Sequence, residues 1–208
     1  MTNPSKTEIV FIIDRSGSMS TIKTDMEGGF RSFIADQRKL PGECVVSLYQ
    51  FDTLYEPVFE NVDVQKVPEY TLDPRGMTAL LDAIGRTIND VGSRLSKLSE
   101  DERPGKVVVV IITDGQENSS REFTSERVKD MIEHQRSKFS WQFAFLGANI
   151  DSFSVGASLG INAASTMDYA ASSAGTQAMY GTLARSIGSY RTTSSTSLSF
   201  DDSDDKNQ

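Results

Sequence analysis

At 208 residues the chain is long enough for one substantial domain and too short to expect two. Its 38% hydrophobic and 24% charged content is ordinary for a soluble globular protein. A formal net charge of −8 argues against a nucleic-acid backbone as partner, and the longest apolar run, Val107 to Ile112, is far too short to span a membrane.

Residues 1–6 read as an N-terminal extension, and MTNPSKTE shows no apolar signal-peptide core. Thr7 to Ile13 reads as the first strand. Ile9 to Ile13 are apolar at every position and rich in β-branching, the pattern of a strand covered on both faces. The run delivers Asp14, then Ser16 and Ser18, in a D-x-S-x-S pattern. Ligands of open α/β sheets gather at the carboxyl ends of strands. One carboxylate and two hydroxyls are hard oxygen donors, suited to Mg2+, Mn2+ or Ca2+. Taken alone, the triplet serves equally well as a helix cap. Ser20 or Thr21 can cap the next helix, whose Ile22, Met26, Phe30 and Phe33 form one face. Gly28 and Gly29 weaken it by about 1 kcal/mol each relative to Ala, which a close packing contact against the sheet would explain.

Cys44 to Phe51 and Leu54 to Val62 read as strands two and three. The link between them is too short for a parallel crossover, so the pair is an antiparallel hairpin at one edge, where Pro57 is tolerated. Cys44, the only cysteine, reads as a buried small hydrophobe and rules out a disulfide within the chain. Thr78 opens a long helix with Leu80, Ile84, Ile88, Val91, Leu95 and Leu98 inward, and is by default its N-cap. Lys106 to Thr113 is a second buried-strand run, and it too delivers an aspartate, Asp114, ahead of Gly115.

A polar loop leads to a helix over Ser125 to Gln135, with Val128, Met131 and Ile132 inward. Trp141 to Leu146 reads as strand five, Ile150 to Leu159 as a short helix and Ala163 to Met167 as a short sixth strand. Thr176 to Tyr190 repeats Met179, Leu183, Ile187 and Tyr190 at helical spacing. From Arg191 to residue 208 the Ser, Thr and Asp content predicts a disordered acidic tail. Alternating strands and helices predict an α/β, doubly wound three-layer sandwich over residues 7–190, with a mostly parallel central sheet and one antiparallel edge strand. Right-handed crossovers place strand four beside strand one, which brings Asp14 and Asp114 together.

The ordered set of Asp14, Ser16 and Ser18, then Thr78 in GMTAL, then Asp114 in ITDG resembles the metal-ion-dependent adhesion site of von Willebrand factor type A (vWA) domains. Among these the chain is similar to the stand-alone bacterial and phage TerY-like proteins. The resemblance implies a bound Mg2+, with Mn2+ or Ca2+ as alternatives. It implies Ser16 and Ser18 as direct ligands, some aspartate contacts through water, and Thr78 engaging or releasing as the state changes. An Asp or Glu of a partner protein would fill the open position. The charge balance agrees, because two carboxylates neutralise a divalent ion without saturating it with anions.

Arg15, Met19, Met77, Gly115, Gln116, Glu117 and Asn118 would form the partner-binding rim, with Arg15 able to pair with the incoming carboxylate. Arg15 and Glu117 read equally well as solvated loop charges, and Met19 and Met77 as buried side chains. The expectation is a non-catalytic, cytoplasmic, metal-dependent protein-binding domain, monomeric on its own, with neither nucleic acid nor membrane as partner.

A metal at a sheet end also suits phosphoryl transfer. A haloacid-dehalogenase-like phosphatase would need a second Asp where Ser16 stands, and a receiver domain a late lysine where Gly147-Ala148 stands. Phosphate-binding G-x-x-x-x-G-K-[ST] and G-x-G-x-x-G signatures are absent, as is a G-x-S-x-G elbow around Ser16. His134, the only histidine, falls on a helix away from the site. A third reading keeps the interaction module but makes its metal site vestigial, against which the complete set of five donors argues.

Overall fold

The computed structural model describes residues 2–200. Six strands form one sheet in the order β3-β2-β1-β4-β5-β6. They are β1 (Asn3–Asp14), β2 (Glu43–Phe51), β3 (Tyr55–Asp63), β4 (Pro104–Thr113), β5 (Gln142–Gly147) and β6 (Thr166–Asp168). Only β3 runs antiparallel, at the edge beside β2. The helices are α1 (Lys23–Gln37), α2 (Leu80–Ser96), α3 (Ser125–Phe139), α4 (Ser152–Ser158) and α5 (Ser173–Thr192). None among the described residues is long and apolar enough to cross a membrane.

The β1 sequence explains why it lies at the centre. Ile9, Phe11 and Ile13 face one side, packed with Phe30 and Phe33 of α1 and Leu183 and Ile187 of α5. Val10 and Ile12 face the other, packed with Ile84 and Ile88 of α2 and Val128 and Ile132 of α3. Two apolar faces on one strand require helices on both sides, and the three-layer sandwich follows. Phe11 meets Phe30 and Phe33 edge-on, with ring centroids 5.2 Å away in each case. β1 pairs in parallel with β2 and with β4, so strand order reverses at β1.

Several boundaries differ from the sequence expectations. β1 begins at Asn3, so most of the expected extension is strand, held by pairing such as Lys6 with Glu43. These first residues are polar and carry no burial signal; backbone pairing holds them, with Lys6 Nζ donating to the Glu102 carbonyl at 3.1 Å. A 3₁₀ turn, Gly17–Ile22, intervenes before α1, and neither Ser20 nor Thr21 caps that helix. Thr78 is not a cap either: α2 starts two residues later and its N-cap, Ala79, receives no side-chain bond. The expected tail does not start at Arg191. The α5 helix runs to Thr192, Leu198 is buried, and its carbonyl accepts from Ser165 Oγ at 2.7 Å. Residues 201–208 lie outside the described residues.

The two glycines of α1 differ. A Cβ on Gly29 would lie 2.1 Å from the Tyr180 ring, so the close approach is to α5 rather than to the sheet. A Cβ on Gly28 would meet only Arg31, at 3.8 Å. Urea denaturation should therefore show Gly29→Ala destabilised by about 1–3 kcal/mol through overpacking. Gly28→Ala should instead be neutral or more stable, by up to about 1 kcal/mol, because helix propensity alone acts there.

Candidate metal centre at the carboxyl edge of the sheet

β1 and β4 are neighbours in register up to Ile13 and Ile112, so Asp14 and Asp114 leave the sheet side by side. Asp14 is fully buried. Its Oδ1 accepts from the Ser16 amide at 2.6 Å and its Oδ2 from Thr113 Oγ1 at 2.6 Å. Ser18 Oγ donates to Asp114 Oδ1 at 2.6 Å and lies 3.1 Å from Ser16 Oγ. Thr78 reaches the same place from the loop before α2. A Cβ built on Gly115 would sit 3.4 Å from Thr78 Oγ1 and 3.7 Å from Ser18 Oγ. The five residues singled out in the sequence thus come together at one edge of the sheet.

The electrostatics leave a deficit of positive charge. Burial pushes the Asp14 carboxyl up to about 6, and the nearby Asp114 adds to the rise. Burial raises Asp114 as well. Among the described residues neither carboxylate has an ion pair. Two carboxylates are thus paired with hydroxyls and one backbone amide, and buried carboxylates without a cation are costly. Two carboxylates and three neutral hydroxyls fit a hard divalent ion. No group of three or more His, Cys, Asp or Glu that could hold a metal exists among the described residues, so any metal here would depend on the hydroxyls.

The rim is smaller than expected. Arg15 is 2% exposed and turned inward, pairing with Asp52 Oδ2 at 2.9 Å and Glu56 Oε2 at 2.7 Å. It is neither a solvated loop charge nor a receiver for an incoming acid, because a buried guanidinium needs its carboxylates. Met19 is fully buried in the core under α1. Met77 is 50% exposed and Gln116 and Asn118 are exposed, so these three do face solvent, with Gly115 and Glu117 partly so.

Glu117 and Asn118 act as clamps. Glu117 accepts from the amides of Leu81, Ser119 and Ser120 and from Ser120 Oγ. Asn118 Oδ1 accepts from the Thr78 amide at 2.9 Å, while its own amide donates to the Thr78 carbonyl at 3.0 Å. That reciprocal pair fixes Thr78 while leaving its hydroxyl without a hydrogen bond among the described residues.

Asp52, in the short link between β2 and β3, ties the loops together. Its carboxylate takes both Arg15 and Arg75, and its carbonyl accepts from the Ala79 amide at 3.0 Å. The Arg75 amide donates to the Arg15 carbonyl at 2.7 Å, and Gly76, at φ +69, turns the chain towards Thr78. Asp82, one turn into α2, accepts from the amides of Arg121, Glu122 and Phe123, which anchors the loop after Asp114. The signal for Asp52 was indirect: an Arg between Asp14 and Ser16 on a buried strand end needs a carboxylate from elsewhere.

No protein-family model and no curated protein sequence matches the chain. Solved structures do. The von Willebrand factor domain of the type V pilus tip protein Mfa5 from Porphyromonas gingivalis matches with a TM-score of 0.65 at 9% identity, covering 94% of this chain and 98% of that one. Proximal thread matrix protein 1 from the mussel byssus, with a zinc-occupied MIDAS motif, matches with a TM-score of 0.63 at 15% identity over 90% of this chain and 46% of its own. The ArnB paralogue VWA2 from Sulfolobus acidocaldarius gives 0.57 at 17%, over 89% and 45%. The chain spans about half the length of these last two. The fold is that of a vWA domain.

Two outcomes follow from the hub and the clamp. Asp52→Asn should lower stability by about 3 kcal/mol in urea at neutral pH, because it leaves buried Arg15 short of a partner. Burial alone would raise the Asp52 carboxyl, but the Leu54 amide with the Arg75 and Arg15 guanidinium groups outweighs it and holds it low. The stability difference from wild type should therefore be full above about pH 4, the unfolded value, and shrink as pH falls further. Asn118→Ala should weaken any metal affinity by about 10–100-fold in calorimetry with little change in fold, as expected when a supporting hydrogen bond to a ligand is lost.

Proposed function

We propose that the chain is a non-enzymatic, metal-dependent protein-binding domain, in which Asp14, Ser16, Ser18, Thr78 and Asp114 hold Mg2+, with Mn2+ or Ca2+ as alternatives. The observation that carries this reading is the pair of carboxylates at one sheet edge, with the Ser16, Ser18 and Thr78 hydroxyls gathered beside them and no cation of the chain's own among the described residues. A divalent ion held there supplies a positive centre open to one further carboxylate, which an Asp or Glu of a partner protein provides. The chain's own residues supply the rest. Thr113 and the Ser16 amide orient Asp14, Ser18 orients Asp114, and the Asn118 clamp presents Thr78. Met77 and Gln116 face the approaching partner.

The phosphatase alternative fares worse. Both oxygens of Asp14 already accept hydrogen bonds from the protein, which suits a held ligand better than an attacking nucleophile. Similarity to the TerY-like group, a cytoplasmic site of action and a monomeric state stand as parts of the same proposal.

Calorimetric titration of Mg2+ into chelator-treated protein should show saturable binding, abolished in Asp114→Ala and Asp14→Ala. Millimolar Mg2+ should raise the melting temperature of the wild type alone, since a ligand that binds only the folded state stabilises it. Silence in both measurements, with glutamate present to complete the site, would overturn the reading.

A further inference from the structure

Beside the candidate metal centre, the loop after β4, the start of α2 and helix α4 enclose a groove of about 400 Å3. Leu80 and Leu159 are its buried apolar residues, and Leu81, Ile150 and Val155 are half-exposed in it. Gly115 and Gln116 form its near end. Because a Cβ on Gly115 would lie within 3.7 Å of both the Thr78 and Ser18 hydroxyls, groove and donor cluster share one wall.

The polar lining sets a condition on the occupant. Glu117 and Asp151 border the groove, and among the described residues no Lys, Arg or His does. Both carboxylates are engaged by the fold, Glu117 through the amides of Leu81, Ser119 and Ser120, and Asp151 by capping α4 through the Ser154 amide. Their charge remains, so the rim repels a second acid and offers nothing to pair with one. What it offers is hydrocarbon, on half-exposed side chains whose cover would remove apolar surface from water.

We propose that this groove seats an uncharged apolar side chain carried by the same partner segment that brings the carboxylate to the metal. The partner is then recognised as an acidic residue with a Leu, Ile, Met or Phe at a fixed position close by. This inference rests on the metal-dependent reading above. An extended segment advances about 3.3 Å per residue, so a groove that begins one residue from the metal donors is reached within about four positions of the acid. Its volume lies within the roughly 300–1,000 Å3 of ligand pockets, ample for one large side chain. The acid satisfies the charge of the metal, and the apolar neighbour distinguishes one acidic segment from another.

The test is selection of a random peptide library displayed on phage against the full chain in millimolar Mg2+, with elution by chelator. The expected result is an invariant Asp or Glu with apolar residues enriched at one fixed spacing. Replacing that apolar residue by Ser in a synthetic peptide should weaken binding about tenfold or more, the scale of one lost buried side chain. Ser154→Trp fills the groove from an exposed position. It should still enrich acidic peptides that chelator releases, but without the apolar preference. An acid enriched with no apolar position, or an apolar preference that survives Ser154→Trp, overturns the groove assignment and leaves the metal reading standing. No chelator-sensitive enrichment overturns the metal reading and this inference with it.

Discussion

Asp14 and Asp114 are carried to one edge by two adjacent, wholly apolar runs, Ile9 to Ile13 and Val107 to Ile112, and among the described residues the fold sets no cation against them. Each strand is buried on both faces, so the aspartate at its end emerges from a low-dielectric interior, and burial raises both carboxyl groups. A protein that wanted only stability at this edge would end those strands on neutral residues. The surrounding hydroxyls and the Ser16 amide stabilise the anions in part, and the remaining demand for positive charge is the physical basis of the proposal that a metal ion is held at this edge. The rest of the structure can be understood as the means of holding that arrangement together.

Three loops must agree in position: the turn after β1, the segment before α2 and the loop after β4. None is fixed by its own sequence. The first two are joined by Asp52, whose carboxylate bridges Arg15 and Arg75 and whose carbonyl meets the Ala79 amide. The second and third are joined by the Thr78–Asn118 pair and by the anchoring of Glu117 and Asp82 to each other's segments. Ionic and amide contacts of this kind are directional, so they fix hydroxyl positions more sharply than apolar packing could. They also mean that a change at Thr78 is felt in the loop after Asp114, because one pair of hydrogen bonds spans both.

The elements legible in the sequence were those specified by local pattern. The apolar runs of β1 and β4, the short link of the β2–β3 hairpin and the inward stripes of α2, α3 and α5 all appear where the local pattern put them. What was not legible depended on contacts distant in sequence. Arg15 looked like a rim residue because its partners are 37 and 41 positions away. Thr78 looked like a cap because the pairing that draws it out of the helix comes from Asn118, 40 positions on. Leu198 looked like part of a polar tail because one apolar residue among serines carries no periodicity, although its backbone bonds to Ser165 and Gln142 dock it. Met19 was ambiguous for a related reason: a 3₁₀ turn buries residues without the 3.6 spacing that reveals a helix face.

The same distinction separates what the backbone fold dictates at this edge from what individual side chains add. Similarity at identities of 9–17% reproduces the sheet and its switch point, which local apolar pattern and crossover handedness dictate. The surface beside the donors comes from side chains that the sheet does not dictate: a buried arginine instead of a rim cation, two carboxylates consumed by loop amides, and an apolar wall made by Leu81, Ile150 and Val155. Arg15 is withdrawn and, among the described residues, no Lys, Arg or His lines the groove, so on the proposal made above an acidic partner would meet positive charge chiefly at the bound ion. On that proposal, specificity beyond a single charge would fall to hydrocarbon contact, which discriminates by shape and size without drawing on the charge of the ion.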